Sequence, residues 1–237
     1  MKTDRLKLSV IIPVYNEETT ISEVIDKVKR VDLGDIDKEI IVADDGSTDQ
    51  TSTIVKKKFE TLEVTKVYTS LINLGKGAAV RFGLDYATGD LIIIQDADLE
   101  LDPNEYTRLL KPILDGETDV VYGSRFLGKK NRNIPFISRQ ANRFLTTLGN
   151  VLFGGKLTDM ETAYKVFRRD VIKSVRLRTV GFDIEAEITA KLLKKGYKIK
   201  EVPISYNPRT AEQGKKISWI DGVETIYTLL KCRFSNR

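Results

Sequence analysis

Short aliphatic runs alternate with amphipathic stretches along the first half of the chain. Five of these runs have the length and composition of buried strands: residues 8–12, 39–43, 64–69, 91–95 and 119–122. Between the runs, apolar residues recur at the spacing of one helix face, as over residues 21–28 and 76–88. This β-α-β alternation predicts an α/β fold with a doubly wound, mostly parallel sheet.

The second half of the chain is less regular. Its pattern predicts a helix capped by Ser138 that runs through Gly149, a helix over residues 183–195, a strand over residues 198–206 and a final amphipathic helix over residues 217–234. No internal repeat or low-complexity linker separates the two halves. We therefore expect a single domain over residues 1–237, in which the second half is a C-terminal extension of the first.

Composition limits the chemistry available to this chain. With 237 residues, of which 41% are hydrophobic and 31% charged, it is typical of a globular domain with a real core. The single cysteine, Cys232, excludes an internal disulfide framework. Histidine is absent, so a metal site must use oxygen ligands and no imidazole can act as a base. No apolar run approaches the ~20 residues that span a bilayer, and no signal peptide is evident, so we expect a cytoplasmic location.

The net charge of +5 is unevenly distributed along the chain. Residues 120–158 contain no aspartate or glutamate. Seven basic residues fall in the same segment: Arg125, Lys129, Lys130, Arg132, Arg139, Arg143 and Lys156. Such a local excess of positive charge favours an anionic partner.

Two helical stretches of the second half combine apolar and basic residues. In the first, the apolar residues are Phe144, Leu145, Leu148, Val151, Leu152 and Phe153. They form either a surface for a membrane or an isoprenoid, or the inner face of an ordinary core helix. In the final helix one face carries Trp219, Val223, Tyr227, Leu230 and Phe234. We expect that face to pack on the domain, with membrane contact as the alternative hypothesis.

The most informative polar segment is Asp96-Ala97-Asp98, which directly follows the aliphatic run at residues 91–95. In an open α/β sheet, ligands bind beyond the carboxyl ends of the parallel strands. Two carboxylates there, with Glu100 just beyond, suit Mg²⁺ or Mn²⁺, which most often bridges protein carboxylates to a diphosphate. The alternative is a solvated acidic loop.

Three other segments follow predicted strands and carry weaker signals. Residues 13–17 place an aromatic ring and a carboxylate where they could bind a base or a ribose, or they form a simple turn. Residues 44–49 could likewise bind a nucleoside, or form an Asx turn that leads into a helix. Gly75-Lys76-Gly77 lacks the spacing of a dinucleotide site or a P-loop, and we interpret it as a tight turn.

Taken together and in this order, these motifs resemble the inverting GT-A glycosyltransferases of family 2. The resemblance extends through Tyr122-Gly123-Ser124-Arg125 and residues 138–142 and 201–206, and it covers roughly residues 8–234. Within the family the chain is most similar to dolichyl-phosphate mannose synthases and other polyprenyl-phosphate glycosyltransferases. The resemblance implies a GT-A fold, with a Rossmann-like nucleotide-sugar-binding half at about residues 8–125 and an acceptor-binding half at about residues 126–237.

The resemblance also implies a role for individual residues. Those expected to hold the nucleoside are Pro13, Tyr15, Glu17, Ala43 and Asp45. Those expected at the diphosphate are Asp96, Ala97 and Asp98, with Asp98 and Glu100 as ligands of Mg²⁺ or Mn²⁺. Basic residues expected on donor or acceptor phosphates are Arg125, Arg209 and Lys215 or its neighbour Lys216, and those on the lipid phosphate are Ser138 and Arg139. The implied catalytic residues are Asp96, Asp98 and Arg125.

The implied reaction is metal-dependent, inverting transfer of a hexose from a nucleotide-sugar to a polyprenyl or dolichyl phosphate at the cytoplasmic membrane surface. Mannose from GDP-mannose is the first expectation, and a membrane-protein partner is possible in principle. A phosphate acceptor, with a second pKa of about 6, needs no strong base, which suits a chain without histidine. We also expect residues 207–216 to form a mobile lid over the donor phosphates.

Several alternatives stay open at this stage. Asp159-Met160-Glu161-Thr162 departs from the Asp-Leu-Thr-Gly/Ser pattern of mannose synthases, so glucose or another sugar from a UDP-sugar is an alternative. A soluble or polysaccharide acceptor would need a base, for which Asp159, Glu161 and Glu185 are candidates. Nucleotidyl transfer, and a basic nucleic-acid-binding module, are the rivals from other classes. We expect no nucleic-acid partner.

Overall fold

The structure is a computed structural model that describes residues 5–127, 131, 133–209 and 219–235. Its strands are β1 (Lys7–Val14), β2 (Asp37–Asp44), β3 (Lys66–Thr69), β4 (Leu91–Ile94), β5 (Val120–Ser124), β6 (Lys165–Arg168) and β7 (Ile199–Pro203). Its helices are α1 (Ile21–Arg30), α2 (Thr51–Glu60), α3 (Lys76–Tyr86), α4 (Tyr106–Leu114), α5 (Phe136–Phe153), α6 (Arg169–Lys173), α7 (Ile184–Lys194) and α8 (Trp219–Phe234).

The strands of the described residues form one seven-stranded sheet in the order β3-β2-β1-β4-β6-β5-β7. Every neighbouring pair is parallel except the two that β6 makes, with β4 and with β5. The predicted α/β fold with a mostly parallel sheet is therefore confirmed. Because β6 reverses between β4 and β5, all the other strands end at the same edge of the sheet. The sequence analysis missed β6, a strand of only four residues that is charged at both ends.

The continuous aliphatic runs have a simple cause, because helices cover both faces of the sheet. In β1, Val10 and Ile12 belong to a buried cluster that also contains residues of α1 and α4. Ile11, which points to the other face, belongs to a second cluster with residues of α3 and α7. Strands that are buried on both sides lack the alternation of polar and apolar residues seen in one-sided sheets.

The helix predicted to begin at Ser138 begins earlier in the structure. Pro135 is the N-cap residue of α5, and Ser138 lies within the first helical turn. The prediction that Ser138 caps this helix is therefore wrong. A serine is a common N-cap residue, but the two residues before it are apolar and adopt the helix as well.

The apolar stripe proposed for the α5 region divides between core and surface. Leu145 is buried, and Leu148, Leu152 and Phe153 pack against a small cluster formed by α5, α7 and α8. Phe144 and Val151 are instead exposed. The inner-face interpretation holds for four of the six residues, and the surface interpretation holds for two.

The orientation of α8 contradicts the expectation that its aromatic face packs on the domain. Trp219 and Phe234 are 80% and 81% exposed, and Val223, Tyr227 and Leu230 are exposed as well. The helix packs on the domain through Thr225, Thr228 and Leu229, which are buried. Amphipathic spacing distinguishes two faces of a helix, but it does not decide which of them meets the protein. In the part of the chain that the structure describes, no helix has the length and apolar content needed to cross a membrane.

A buried carboxylate fixes the edge of the sheet opposite the ligand-binding edge. Glu39 of β2 is 1% exposed and accepts hydrogen bonds from the Ser9 hydroxyl (2.6 Å) and the Thr88 amide (2.7 Å). The Lys7 ammonium lies 2.8 Å from Glu39 Oε2. Burial alone would raise the Glu39 pKa, but these hydrogen bonds outweigh it and lower the pKa to about 2. The group therefore joins β1, β2 and the end of α3 as a carboxylate.

We predict that Glu39→Gln lowers the free energy of unfolding at pH 7, and that acid removes most of the difference. A carboxyl whose pKa falls from 4.5 to about 2 on folding contributes on the order of 3 kcal/mol above pH 4.5. This contribution disappears as the pH falls toward 2. Urea denaturation of both proteins from pH 7 to pH 3 measures the difference, with exposed Glu60→Gln on α2 as the control. A difference that stays constant over this range would contradict the prediction.

Candidate functional site

A cavity of about 850 Å³ opens at the edge where the parallel strands end. Most of the residues that the sequence analysis assigned to a donor site line it: Pro13, Tyr15, Glu17, Asp45, Asp96, Ala97, Asp98, Glu100, Arg125 and Arg209. They come from the ends of β1, β2, β4 and β5 and from the segment after β7. The structure therefore brings together groups that are as far as 196 residues apart in the sequence.

The end of the cavity beside β1 and β2 is built around Asp45. Its carboxylate accepts hydrogen bonds from the backbone amides of Leu74 (3.0 Å) and Gly75 (2.6 Å). Gly75 has a φ of +108°, and a Cβ there would lie 2.3 Å from the carbonyl oxygen of Val180. Only glycine fits this turn, which places the start of α3 against the cavity.

The three carboxylates after β4 have different surroundings. Asp96 forms an ion pair with Lys76. Glu100 accepts hydrogen bonds from the Tyr206 hydroxyl (2.8 Å) and the Arg209 amide (2.7 Å). Asp98 accepts one from the Glu100 amide (3.1 Å), and no cationic side chain of the described residues lies within salt-bridge distance of it. Burial, together with repulsion from Asp96 and Glu100, raises the Asp98 pKa to about 7.

These carboxylates fit a divalent cation whose other ligands are water and substrate phosphates. The described residues contain no group of three or more acidic or sulfur side chains that could hold a metal ion alone. Asp98 nevertheless offers a half-buried carboxylate that has no paired cation among the described residues, and Mg²⁺ is usually held by one or two carboxylates, water and substrate phosphates. The assignment of Asp98 and Glu100 as metal ligands stays a prediction.

Arg209 joins the segment after β7 to the start of the cavity. Its guanidinium binds the Glu17 carboxylate through two hydrogen bonds of 3.0 and 2.8 Å, a bidentate pair. Its backbone amide binds Glu100, as described above. The residue thus lies between the nucleoside end and the acidic segment. Lys215, Lys216 and most of the expected lid fall at positions 210–218, outside the described residues.

Lys76 is a cavity residue that the sequence analysis missed. Its ammonium lies 2.7 Å from Asp96 Oδ1 and 3.1 Å from Glu185 Oε1. Burial would lower the Lys76 pKa, but the two carboxylates outweigh it and raise the pKa. One signal could have indicated a role, because a lysine at the first position of a helix opposes the helix dipole. Such a placement needs a compensating anion, and here it has two.

Arg125, at the end of β5, is held in place by Asp159. Its Nε and Nη2 bind the two oxygens of Asp159 at 2.8 and 2.7 Å, and its backbone amide binds Asp159 as well. Asn142 of α5 donates to the same carboxylate at 2.9 Å. The guanidinium also lies 5.2 Å from the centre of the Tyr206 ring. Arg125 therefore presents a fixed positive charge to the cavity.

The reversed strand β6 explains why residues 159–161 reach this site. Being antiparallel, β6 begins at the edge where its neighbours end, so the residues before Lys165 lie beside the cavity. Among the three candidate bases, Asp159 and Glu185 are ion-paired, and the attached cations outweigh burial and lower the pKa of each. Glu161 instead has its pKa raised to about 7, chiefly by burial. It is the candidate best suited to exchange a proton near neutrality.

The part of the cavity wall beside α5 and α8 is richest in apolar residues: Ile134, Pro135, Ile137, Leu145 and Trp219. The same helices also contribute Asn142, Asp221 and Thr225 to the wall. Ser138, predicted to bind an acceptor phosphate, lines this part of the wall. Arg139 does not line the cavity, and its guanidinium donates to the Asn131 carbonyl.

Two other predicted groups are not seen on the cavity wall. Ala43 is fully buried within β2, beside Pro13 of β1. Lys129, Lys130 and Arg132 of the basic segment lie outside the described residues. The roles assigned to Ala43 and Arg139 stay predictions.

Comparison with protein-family models matches residues 9–176 to the model described as glycosyl transferase family 2. Among curated relatives, the uncharacterized protein MJ1222 of Methanocaldococcus jannaschii is 29% identical, over 94% of this chain and 91% of its own length. The dolichol-phosphate mannosyltransferase of Pyrococcus furiosus is 31% identical, over 89% of this chain. The low-salt glycan biosynthesis hexosyltransferase Agl6 of Haloferax volcanii is 32% identical, over 86% of this chain. The matches span only 59% and 49% of these two enzymes.

Comparison with solved structures finds glucosyl-3-phosphoglycerate synthase from Mycobacterium tuberculosis. Its complex with uridine diphosphate aligns with a TM-score of 0.75 and 22% identity, over 96% of this chain and 80% of that one. A complex with Mn²⁺, uridine diphosphate and phosphoglyceric acid aligns with a TM-score of 0.74 and 21% identity, over 98% and 80% of the two chains. At this level of identity the likeness concerns the fold alone, and it confirms the GT-A-like fold.

We predict that Lys76→Met lowers the free energy of unfolding by about 2–4 kcal/mol, because it leaves Asp96 and Glu185 without their shared cation. Glu185→Gln should cost less stability in the Lys76→Met background than it does alone, with a coupling energy of about 1–3 kcal/mol, although either way it leaves buried Lys165 without its carboxylate. Denaturant unfolding of the two single variants and the double variant measures this coupling.

Lys56→Met on the exposed side of α2 is the matched control and should change the free energy of unfolding by less than about 0.5 kcal/mol. Additive effects of Lys76→Met and Glu185→Gln would show that the two side chains do not interact.

Proposed function

The chain belongs to glycosyl transferase family 2, and from that premise we propose that it transfers a hexose from a nucleotide-sugar to a polyprenyl phosphate, with inversion at the anomeric carbon. The observation that carries the proposal is the composition of the cavity. One part of the wall is built from carboxylates at strand ends, where a nucleoside diphosphate fits, and the part beside α5 and α8 is richer in apolar residues. The dolichol-phosphate mannosyltransferase among the relatives supports a lipid phosphate as the acceptor.

The proposed donor is GDP-mannose, with a UDP-sugar as the alternative. Mannose follows from the name of the relative from Pyrococcus furiosus, whereas the solved structures of similar fold contain uridine diphosphate. In this proposal Tyr15 stacks on the base, and Asp45 and Glu17 accept hydrogen bonds from the nucleoside. Since Asp45 is also bound by two backbone amides, its position is fixed before the donor arrives.

A bound Mg²⁺ or Mn²⁺ would neutralise charge on the departing nucleoside diphosphate, with Asp98 and Glu100 as its protein ligands. The protein's own cations act in the same direction. Arg125 is fixed by Asp159 and Arg209 by Glu17, so each presents its charge without a large rearrangement. Asp96, held by Lys76, is proposed to orient the donor beside Asp98.

The acceptor is proposed to enter beside α5 and α8, with its phosphate near Ser138 and Arg139. A phosphate monoester is largely dianionic at pH 7, so its oxygen attacks without a base and expels the nucleoside diphosphate from the opposite side. That arrangement explains why a chain without histidine can catalyse the transfer.

The proposed location is the cytoplasmic face of a membrane, where the lipid acceptor is found. Exposed apolar side chains on α8 and α5 support the proposal, among them Tyr227, Phe234 and Phe144. Lys231 and Arg233 lie in the last turn of α8, where they can meet anionic headgroups. A membrane-protein partner could use the same surfaces.

We predict that Asp98→Asn lowers the rate of hexose transfer by about 100-fold or more, because the variant loses the carboxylate proposed to act at the diphosphate. The assay supplies radiolabelled GDP-mannose or UDP-glucose with Mg²⁺ or Mn²⁺. Undecaprenyl phosphate, dolichyl phosphate and glycerate 3-phosphate are compared as acceptors. Product is counted in the organic phase for the two lipids, and in the aqueous phase after chromatographic separation from the donor for glycerate 3-phosphate. Added chelator should abolish transfer by the unchanged protein.

The control is Asp115→Asn, which removes an exposed carboxylate at the end of α4, away from the cavity. It should transfer at the normal rate. Transfer to glycerate 3-phosphate but not to either polyprenyl phosphate would overturn the lipid acceptor. Undiminished transfer by Asp98→Asn would overturn the role of Asp98.

We predict that replacing exposed apolar residues of α8 weakens membrane binding. Tyr227→Ser and Phe234→Ser should each reduce partition onto vesicles containing anionic lipid several-fold, since each removes apolar surface available for insertion. Co-sedimentation with vesicles measures the bound fraction, and Phe59→Ser on α2 is a control with exposed apolar character elsewhere. Equal losses for all three variants would argue against a specific role of α8.

A further inference from the structure

Glu161 is a buried acid on the cavity wall without an internal partner. Its Oε1 is inaccessible to solvent and makes no hydrogen bond with any described residue, while the side chain as a whole is only partly buried and lines the cavity. Buried side-chain oxygens almost always have a hydrogen-bond partner, and leaving one unpaired costs about 1–3 kcal/mol. The accessible part of the same carboxyl group lines the cavity, so a ligand there can supply a donor to the group.

The neighbouring cations do not supply a donor to Glu161 Oε1 in the structure, although Arg125 has further N–H groups that are not bound to Asp159. The Lys165 ammonium has three N–H groups and meets three acceptors: the Met160 and Thr162 carbonyls and the Glu185 carboxylate. Arg125 directs two of its N–H groups to Asp159.

The electrostatic balance around Glu161 agrees with this geometry. Burial raises its pKa to about 7, Glu185 and Asp159 add to the rise, and the attraction of Lys165 and Arg125 offsets only part of it. The folded protein thus contains an acid whose charged form is poorly compensated when the cavity holds no ligand.

The position of Glu161 indicates what kind of ligand group meets it. Cavity-lining Arg125 is bound to Asp159, and Glu185 to Lys76, which in turn holds Asp96. Glu161 interacts electrostatically with Arg125, Asp159 and Glu185, so it lies on the part of the cavity wall that Arg125 and Glu185 also line. An ionised carboxylate repels phosphate oxygens but accepts hydrogen bonds from alcohol hydroxyls. Between a diphosphate and an attacking group, the hydroxyl-bearing moiety is the transferred sugar.

We propose that Glu161 accepts a hydrogen bond from a hydroxyl of the transferred hexose and helps to determine which hexose the site binds. The inference rests on the proposed function, since it requires a nucleotide-sugar donor. It assigns to Glu161 a contact with the sugar and not with the nucleoside, the diphosphate or the acceptor.

The test compares nucleotide-sugars with the same nucleoside diphosphates that lack the sugar. Isothermal titration calorimetry with Mg²⁺ measures the affinities for GDP-mannose, UDP-glucose, GDP and UDP. We expect Glu161→Ala to lose about tenfold or more in affinity for the preferred nucleotide-sugar, and Glu161→Gln to lose less, because a neutral amide oxygen still accepts a weaker hydrogen bond. Affinity for the matching nucleoside diphosphate should stay within about twofold.

The matched control is Glu117→Gln, which removes an exposed carboxylate that pairs with Lys200 outside the cavity. It should change none of the four affinities. If Glu161→Ala kept the affinity of the unchanged protein for nucleotide-sugar, or lost affinity for nucleoside diphosphate equally, the proposed contact would be wrong while the proposed function stood. If the unchanged protein bound nucleoside diphosphates but no nucleotide-sugar of a wider panel, the proposed function and this inference would fall together.

A transfer assay separates a contact with the sugar from one with the acceptor. Normal affinity for nucleotide-sugar in Glu161→Gln, with a lower rate only toward hydroxyl acceptors, would place Glu161 against the acceptor and overturn the inference.

Discussion

The site depends on the way buried negative charge is balanced at one edge of the sheet. Carboxylates are concentrated there because parallel strands end together, and each would be costly to bury alone. Three cations carry most of the compensation: Lys76 pairs with Asp96 and Glu185, Arg125 with Asp159, and Arg209 with Glu17. These pairs cross between distant parts of the chain, so the same contacts that offset burial also assemble the cavity.

Two carboxyl groups in the described part of the chain lack a compensating partner, and both line the cavity. Among the described residues, Asp98 has no paired cation and Glu161 Oε1 accepts no hydrogen bond. A site for a cation and a polyhydroxyl ligand needs carboxylate oxygens that are not already engaged in ion pairs or hydrogen bonds, since engaged oxygens cannot accept from the ligand. The cost of leaving these groups uncompensated is offset by the ion pairs and by the large aliphatic core beneath them.

The apolar residues of α8 are only partly used in packing against the protein. Helices α5, α7 and α8 form a small cluster of their own, and that cluster uses one side of α8 only. The aromatic side, with Trp219 on the cavity wall and Phe234 at the other end of the helix, is left exposed. A cavity that opens beside such a surface is suited to an acceptor that is polar at one end and apolar along the rest.

The mostly parallel sheet could be predicted from the sequence, because aliphatic runs are local signals. The same runs predicted that Asp96 and Asp98 follow a strand end, whereas the role of Asp45 was implied by the resemblance to family 2. Only the tertiary structure decided that Lys76 joins Asp96, that the short reversed strand β6 brings Glu161 to the cavity, and that the aromatic face of α8 points outward. Strand order, ion pairing over long separations and the choice between two helix faces depend on packing, which local spacing does not encode.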